Sequence, residues 1–569
     1  MRVITLLSAC SIAAGSPSLV SAQRADLVLV NGKVVTVDSQ RPRAEAVAVR
    51  GDRLIAVGTS TEIWRLAGPG TRVIDLRGRL LVPGFVESHG HFLSLGESKL
   101  VLDLRDATSW EDIVSLVSEA VRRARPGEWI VGRGWQQERW RRAPVPNVQG
   151  VPLHSSLDRV SPDNPVVLSH VSGHGSFANA RALALAGITR ETRDPEGGEI
   201  VRDESGAPTG FLKEAAQRPV SAARERAEQA SPEEREARFR TLVRLAGEEA
   251  LRYGVTSFHD AGTSLENIDA FRRLADDGTL PVRLYVMIRG GEGNARLDSL
   301  LPRYRMIGYG KGFLTVRAIK RVIDGALGVR GAWLLEPYAD LPESRGLMME
   351  SPDVLEETAR IAARHGFQLG THAIGDRATR EVLDMYERTF RRAAGVRDLR
   401  WRVEHASMVD PADVQRFRAL GVIASMQGSF IASGGDWVRK RLGAERAART
   451  IYPWQSLLRA GAIIASGTDV PVDGIDPIAS FRAIVTRRTH DGSVFLPEQR
   501  VAREAALRAH TLNGAYAAFE EADKGSITVG KLADLVVLTK DILTIPEDEL
   551  ATARVALTMV GGKVAYHAP

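Results

Sequence analysis

From Leu81 to Ser466 the chain alternates short apolar runs with stretches of helical character. This alternation restricts the fold more than any other feature. Runs suited to strands fall at 81–87, 255–258, 282–288, 313–323, 368–371, 401–404, 422–426 and 463–466. A helix is announced between two of them by Ser231-Pro232-Glu233-Glu234 and extends to Tyr253, with Gly254 just past its end. Serine suits the N-cap, proline the first helical position and glycine the stop. Another helix is expected from Asp410-Pro411 to Leu420, stopped by Gly421. Apolar strands separated by helices imply a parallel sheet covered by helices. The fold class is therefore α/β, and eight such strands suggest a closed (β/α)8 TIM-like barrel. A nine-stranded or open sheet is the alternative.

The two ends of the chain read differently. Ala25-Asp26-Leu27-Val28-Leu29-Val30 runs into Asn31-Gly32, a hairpin signal, and Lys33-Val34-Val35-Thr36-Val37 follows. Short β runs return at Gly525-Ser526-Ile527, at 533–538 and at 555–562. A small β-sandwich assembled from residues 23–82 and 525–569 explains the likeness of the two ends. The barrel then occupies 83–524, with 103–220 as an insertion after its first strand. The insertion carries a cluster of tryptophans and a helical stripe at Ile113, Leu116, Val117, Ala120 and Val121. An insertion of that size on a strand–helix loop is expected to cap the barrel mouth.

Residues 1–22 have the three regions of a secretory signal: Arg2, an apolar stretch from Val3 to Ala14, and Val20-Ser21-Ala22 before the cut. A secreted or periplasmic protein follows. The apolar part is too short to cross a bilayer, and no later segment is long and apolar enough, so no membrane span is expected. Cys10, the single cysteine, lies inside this signal and comes too early for a lipid anchor. With no cysteine after it, any metal must be held by histidine, carboxylate or something less usual. Lys+Arg 76 against Asp+Glu 70 leaves +6, spread without charge runs, which argues against a nucleic-acid partner. Of the possible assemblies, a homodimer is the default.

Val82-Pro83-Gly84-Phe85-Val86-Glu87-Ser88-His89-Gly90-His91 is the sharpest local feature. On an extended segment His89 and His91 face the same side, so both imidazoles can reach one ion. His372, His405 and Asp469 each close a short strand-like run. In a TIM barrel such C-terminal strand ends build the active site. Lys320 sits among Ala, Ile and Val, where a charged amine is costly and burial favours the neutral form. A neutral amine can take up carbon dioxide to give a carbamate. On the residues alone, a lysine that snorkels or pairs with Asp324 is the preferred reading. His174 in Ser172-Gly173-His174-Gly175 could touch substrate or stabilise its own turn, and Trp135 could line a pocket or pack a core. His170 and His259 read as structural, and Asp376 as a helix cap rather than a catalyst.

The words VPGFVESHGH, SGHGSFANARAL, IKRVIDGALG, GTHAIGDRA, RVEHASMVD and SGTDVPVDGIDP, in this order, resemble the amidohydrolase superfamily. More narrowly they resemble its YtcJ-like branch, amidohydrolase family 3, which includes N-substituted formamide deformylases. The resemblance runs from about residue 25 to 565. It implies that His89 and His91 bind the more buried metal, that Lys320 is an N6-carboxylated bridge and that His372 and His405 bind a second metal. Asp469 is implied as ligand and proton shuttle. One or two Zn²⁺ ions are expected, with Mn²⁺ or Fe²⁺ also suited to such donors. Water on Zn²⁺ loses its proton near pH ~7, so the expected reaction is attack of that hydroxide on an amide-like C–N bond of a small molecule. A deaminase or cyclic-amide hydrolase shares this chemistry. A non-catalytic binding or regulatory protein would have no need of the six candidate ligands.

Overall fold

The structure, a computed structural model, describes residues 24–290, 293–392 and 398–569, with the backbone alone at residue 436. The expected secretory segment 1–22 and Cys10 lie outside the described residues.

Eight parallel strands build the centre: β1 Phe85–Gly90, β2 Val255–Thr263, β3 Arg283–Ile288, β4 Leu314–Val322, β5 Gln368–Ala373, β6 Arg402–His405, β7 Ile423–Gln427 and β8 Ile464–Gly467. Their spatial order follows the sequence. A short outlying strand, Met306–Gly308, pairs antiparallel with β4. No ladder joins β8 to β1; the seam is closed by other means. The Asp469 N–H donates to the His89 carbonyl at 2.7 Å. Glu87 accepts from the Thr468 N–H at 2.8 Å and from its hydroxyl at 2.7 Å. Every residue of β1, β3, β5, β6, β7 and β8 is buried, as strands covered on both faces must be.

The covering helices follow from local sequence. Pro232–Arg252 has a full capping box between Ser231 and Glu234, and Gly254 (φ +78°) ends it. It buries Phe239, Val243, Ala246, Gly247 and Ala250 along one stripe. The helix expected from Asp410 begins later, at Val414. Asp410 instead accepts the Ala412 N–H with its side chain, holding a turn ahead of the helix.

The first barrel strand also starts later than the sequence pattern suggests. Leu80–Pro83 belongs to a separate six-stranded sheet with Lys33–Val35, Arg43–Ala44, Leu535–Leu538, Val555–Val560 and Lys563–His567. The chain passes from that sheet into β1 at Gly84. A Cβ there would lie 2.1 Å from Thr256 Oγ1 and 2.8 Å from Thr256 Cβ. The β-branched Thr256 has little rotamer freedom to yield. Gly84→Val is expected to destabilise by about 1–3 kcal/mol, read as a lower melting temperature; an unchanged value would refute this close packing.

Leu27–Val30, Ala46–Arg50, Arg53–Gly58 and Arg72–Asp75 form a four-stranded sheet. Asn31-Gly32 is thus not a hairpin turn. Both edges of Leu27–Val30 are already paired, with Ala46–Arg50 and Arg72–Asp75, so the following strand Lys33–Val35 steps into the other sheet. Gly525-Ser526-Ile527 is likewise not a strand; Ile527 donates singly to the Thr36 carbonyl. Leu29, Val34, Val47, Leu81, Leu535 and Met559 from both chain ends pack into one small core. A buried ion pair ties these sheets to the barrel, with Arg283 Nε 2.7 Å from Asp534 Oδ2.

Residues between β1 and β2 contribute a six-stranded mixed sheet, ordered Gly198–Arg202, Pro208–Glu214, Gly175–Ala178, Val166–His170, Ile130–Trp135 and Leu102–Asp103. Its helix Trp110–Val121 buries Trp110, Ile113 and Val117.

Candidate metal centre

Five expected ligands gather where the barrel strands end. His89 closes toward the end of β1, and His91 lies one residue past it in extended conformation. Asp469 Oδ1 is 3.2 Å from His91 Nε2 and 3.5 Å from His89 Nε2. The His405 ring lies 4.6 Å from His89 and 4.4 Å from His372, centroid to centroid. Among the described residues, ligand atoms of His89, His405 and Asp469 lie within 4.8 Å of one another, a spacing that one ion can span. Lys320, fully enclosed near the end of β4, faces the same cavity as His91, His372, His405 and Asp469.

The donor set fits a cation. His89 Nε2, His372 Nε2 and Asp469 Oδ1 are buried without a hydrogen-bond partner. Buried polar atoms left in this state are costly unless a ligand satisfies them. Burial pushes all four imidazoles below their usual range, His91 to about 4, so their lone pairs are available for binding. Burial also opposes ionisation of Asp469, but the surrounding imidazoles hold its carboxyl well below the usual range. Lys320 is pushed down to about 8 by burial, with Glu404 working in the opposite sense.

Backbone strain accompanies this arrangement. His405 has φ +75° and Asp469 φ +58°, a left-handed region that favours glycine. The structure holds two of the candidate ligands in it, as functional sites often do.

The residues that orient these rings were not singled out by sequence reasoning. Glu404 Oε2 meets His89 Nδ1 at 2.5 Å, leaving Nε2 aimed at Asp469. Gln427 Oε1 accepts from His405 Nδ1 at 2.8 Å. Such partners set tautomer and ring direction in metal sites. Arg402 lies two positions before Glu404 on β6, and both are fully buried. Two charges at alternate positions of an otherwise apolar run were the available signal. Asp324 does not pair with Lys320: it accepts the N–H groups of Trp333, Ile374 and Gly375, and stands 3.5 Å from His372 Nε2.

His174 reaches the site from the segment between β1 and β2. Its ring is 5.0 Å from that of His372, and Nδ1 bonds Glu214 Oε2 at 2.8 Å. Burial lowers the His174 pKa, but the Glu214 carboxylate overrides this and holds it above its usual value. The expectation that Trp135 touches substrate is corrected. Its indole N–H donates to the Leu168 carbonyl, its ring packs against Trp140, and it lines neither cavity at the barrel mouth. It is a core residue of the six-stranded mixed sheet; the next residue, Gln136, faces the cavity. His170 also lines it, while hydrogen-bonded to Ser172. Asp376 is the first residue of the helix Asp376–Arg392 and accepts the Leu335 N–H at 2.9 Å.

The mouth is divided into two lobes that share Ser172, His174, His372, His405, Asp469 and Val472. One is largely apolar, lined by Val171, Leu327, Ile374, Phe430, Trp437 and Tyr452, with Asp473 at its wall. The other is polar, lined by Arg133, Arg218, Arg289, Glu214 and Glu350.

A barrel that collects unprotonated imidazoles and a carboxylate at its C-terminal strand ends has the architecture of a metal-dependent hydrolase. Comparison with known proteins agrees. The chain belongs to the amidohydrolase family, whose model matches residues 72–566. It is 35% identical to protein LONG AFTER FAR-RED 3 of Arabidopsis thaliana, covering 95% of this chain and 92% of that one. It is 29% identical to the N-substituted formamide deformylase of Arthrobacter pascens, over 96% of this chain and 99% of the relative. The crystal structure of an uncharacterized metal-dependent hydrolase from Pyrococcus horikoshii superposes with a TM-score of 0.71 at 26% identity, covering 92% of this chain and 99% of that one.

Proposed function

We propose that this metal-dependent hydrolase cleaves an amide-like C–N bond of a small molecule. The observation that carries the reading is the convergence of His89, His405 and Asp469, whose ligand atoms lie within 4.8 Å of one another, with His89 Nε2 and Asp469 Oδ1 buried and unpartnered, at a cavity that His174 also lines. His89, His91, His372, His405 and Asp469 would hold zinc, and Lys320, as a carbamate, would add a further oxygen donor. A bound divalent cation supplies Lewis acidity and lowers the pKa of a coordinated water. The chain's own groups do the rest. Asp469 accepts a proton from the attacking water at its carboxylate and returns it to the leaving nitrogen. His174, whose protonated form the Glu214 carboxylate favours, donates to the carbonyl oxygen as negative charge develops there. The apolar lobe excludes water from one side of the scissile bond. In the same reading, residues 103–220 act as a cap, the two small sheets form a β-sandwich, and segment 1–22 directs export of a homodimer.

The test is metal analysis joined to product analysis. The purified protein is expected to carry one or two equivalents of zinc. Chelation should abolish turnover across N-substituted formamides, N-acyl amino acids and cyclic ureas, followed by mass spectrometry. It should also lower the melting temperature. Restoring metal at a hundredfold excess over Kd should return about 2.7 kcal/mol of stability. Release of ammonia from an amidine-like substrate would favour a deaminase instead. A chain that binds no metal, melts identically with chelator and leaves every amide intact would sink the enzymatic reading.

A further inference from the structure

The polar lobe gathers three guanidinium groups that form no ion pair with a carboxylate of the described residues. Arg133 comes from the insertion strand Ile130–Trp135, Arg218 from the start of the helix Arg218–Ala227, and Arg289 from the position after β3. Three separate elements thus bring guanidinium groups into one cavity beside the metal centre. Among the described residues, none of the three has a carboxylate oxygen within the 4.0 Å of an ion pair, although Arg218 and Arg289 feel each other's charge. Of the three carboxylates sharing the lobe, Asp469 belongs to the candidate metal centre and the other two are already engaged. Glu214 holds His174 at 2.8 Å, and Glu350 accepts the Val322 N–H at 3.2 Å and faces Arg321 at 3.7 Å. They act on Arg289 only from farther away.

The lobe is also shaped around one of these arginines. Gly262, at φ +124°, lies beside the Arg289 stem. A Cβ there would come within 2.6 Å of Arg289 Cβ, 2.8 Å of its Cδ and 3.2 Å of Lys320 Cβ. The backbone of β2 therefore makes room for Arg289 next to Lys320. Arg133 donates one N–H to the Val171 carbonyl at 3.3 Å, while its Nε is buried with no partner. Like charges gathered without a directly paired carboxylate repel, and the planar fork of arginine matches a carboxylate.

We infer that the substrate is an amide bearing a carboxylate that docks on Arg289, Arg218 and Arg133, with an apolar or aromatic group seated against Phe430 and Trp437 across the scissile bond. An N-arylacyl amino acid has this division of polarity; a neutral formamide does not. The inference rests on the hydrolytic reading of the same site, which the experiment keeps separable.

Zinc-loaded protein is given N-phenylacetylglycine and its neutral analogue N-phenylacetylethanolamine. In parallel, calorimetry measures binding of 3-phenylpropionate and 3-phenylpropanol. The carboxylate member of each pair is expected to be favoured by about 30-fold. Arg289→Gln and Arg218→Gln should each reduce that ratio about tenfold, mainly through KM, with zinc content retained. Folding of both variants is checked by their melting temperatures, and two variants guard against loss of one. A ratio near one in the native protein overturns the inference. So does a ratio that survives both substitutions, because the carboxylate is then caught by the metal alone. If neither amide is cleaved but the arginine-dependent binding preference is present, the hydrolytic reading fails and the anion subsite stands.

Discussion

Asp469→Asn is expected to lower kcat/KM by at least ~10³-fold, near the upper range for loss of a positioned proton carrier. The substitution keeps the shape of the side chain and removes its charge. In the native site Oδ1 faces His91 Nε2 at 3.2 Å and His89 Nε2 at 3.5 Å without a hydrogen bond to either. Both imidazoles are held neutral by burial. A carboxylate in that position can bind a cation with them and can also carry a proton. An amide can do neither as well. The backbone contribution of residue 469 survives, since its N–H donates to the His89 carbonyl in either case. The β1–β8 seam should stay closed and the melting temperature of the metal-free protein should change little. Steady-state kinetics with metal analysis reads the outcome. A variant that retains zinc and more than about a tenth of native activity would remove Asp469 from the proton path.

Glu404→Ala is expected to cost about 3–5 kcal/mol, the usual consequence of leaving one member of a buried ion pair alone. Arg402 is fully buried; its Nε lies 2.7 Å from Glu404 Oε1, and its Nη2 donates to Glu404 Oε2 at 3.1 Å. Burial by itself would raise the Glu404 pKa, but the Arg402 guanidinium, helped by His89, holds it well below the carboxylate range. Arg402 keeps other acceptors, Ser425 Oγ at 2.8 Å and His259 Nδ1 at 3.2 Å, yet none carries a compensating charge. The double replacement Arg402→Met with Glu404→Leu should recover much of the loss, because neither charge is then stranded. His89 loses its orienting partner in both, so zinc affinity should fall 10- to 100-fold in each. Denaturation of the metal-free proteins separates stability from metal binding. A single variant within about 1 kcal/mol of native would show that Arg402 finds its charge balance elsewhere.

Much of the barrel was legible because strand and helix signals are local. Burial on both faces writes an apolar run, and capping chemistry writes Ser231-Pro232 at one end of a helix and Gly254 at the other. The candidate ligands were legible for a related reason: they occupy corresponding slots at the ends of such runs. Asn31-Gly32 misled because a turn signal does not say which edge is free. The edges of Leu27–Val30 were taken by strands that come later in the chain. Trp135 misled because a large aromatic suits a pocket wall and a core equally well, and only the packing of Trp140 and Phe211 against it decides.

By itself the sequence determined the alternation that closes a barrel, the positions of His89, His91, Lys320, His372, His405 and Asp469 along it, and the family they belong to. Tertiary structure alone decided which groups answer them: Glu404 on His89 across 315 positions, Glu214 on His174 across 40, and three arginines from three elements around one lobe. The physical reason is range. Periodicity and capping act over a few residues and leave a trace in every turn. Side-chain pairing depends on which strand ends meet in space, and nothing next to a glutamate in the chain records which histidine it will face.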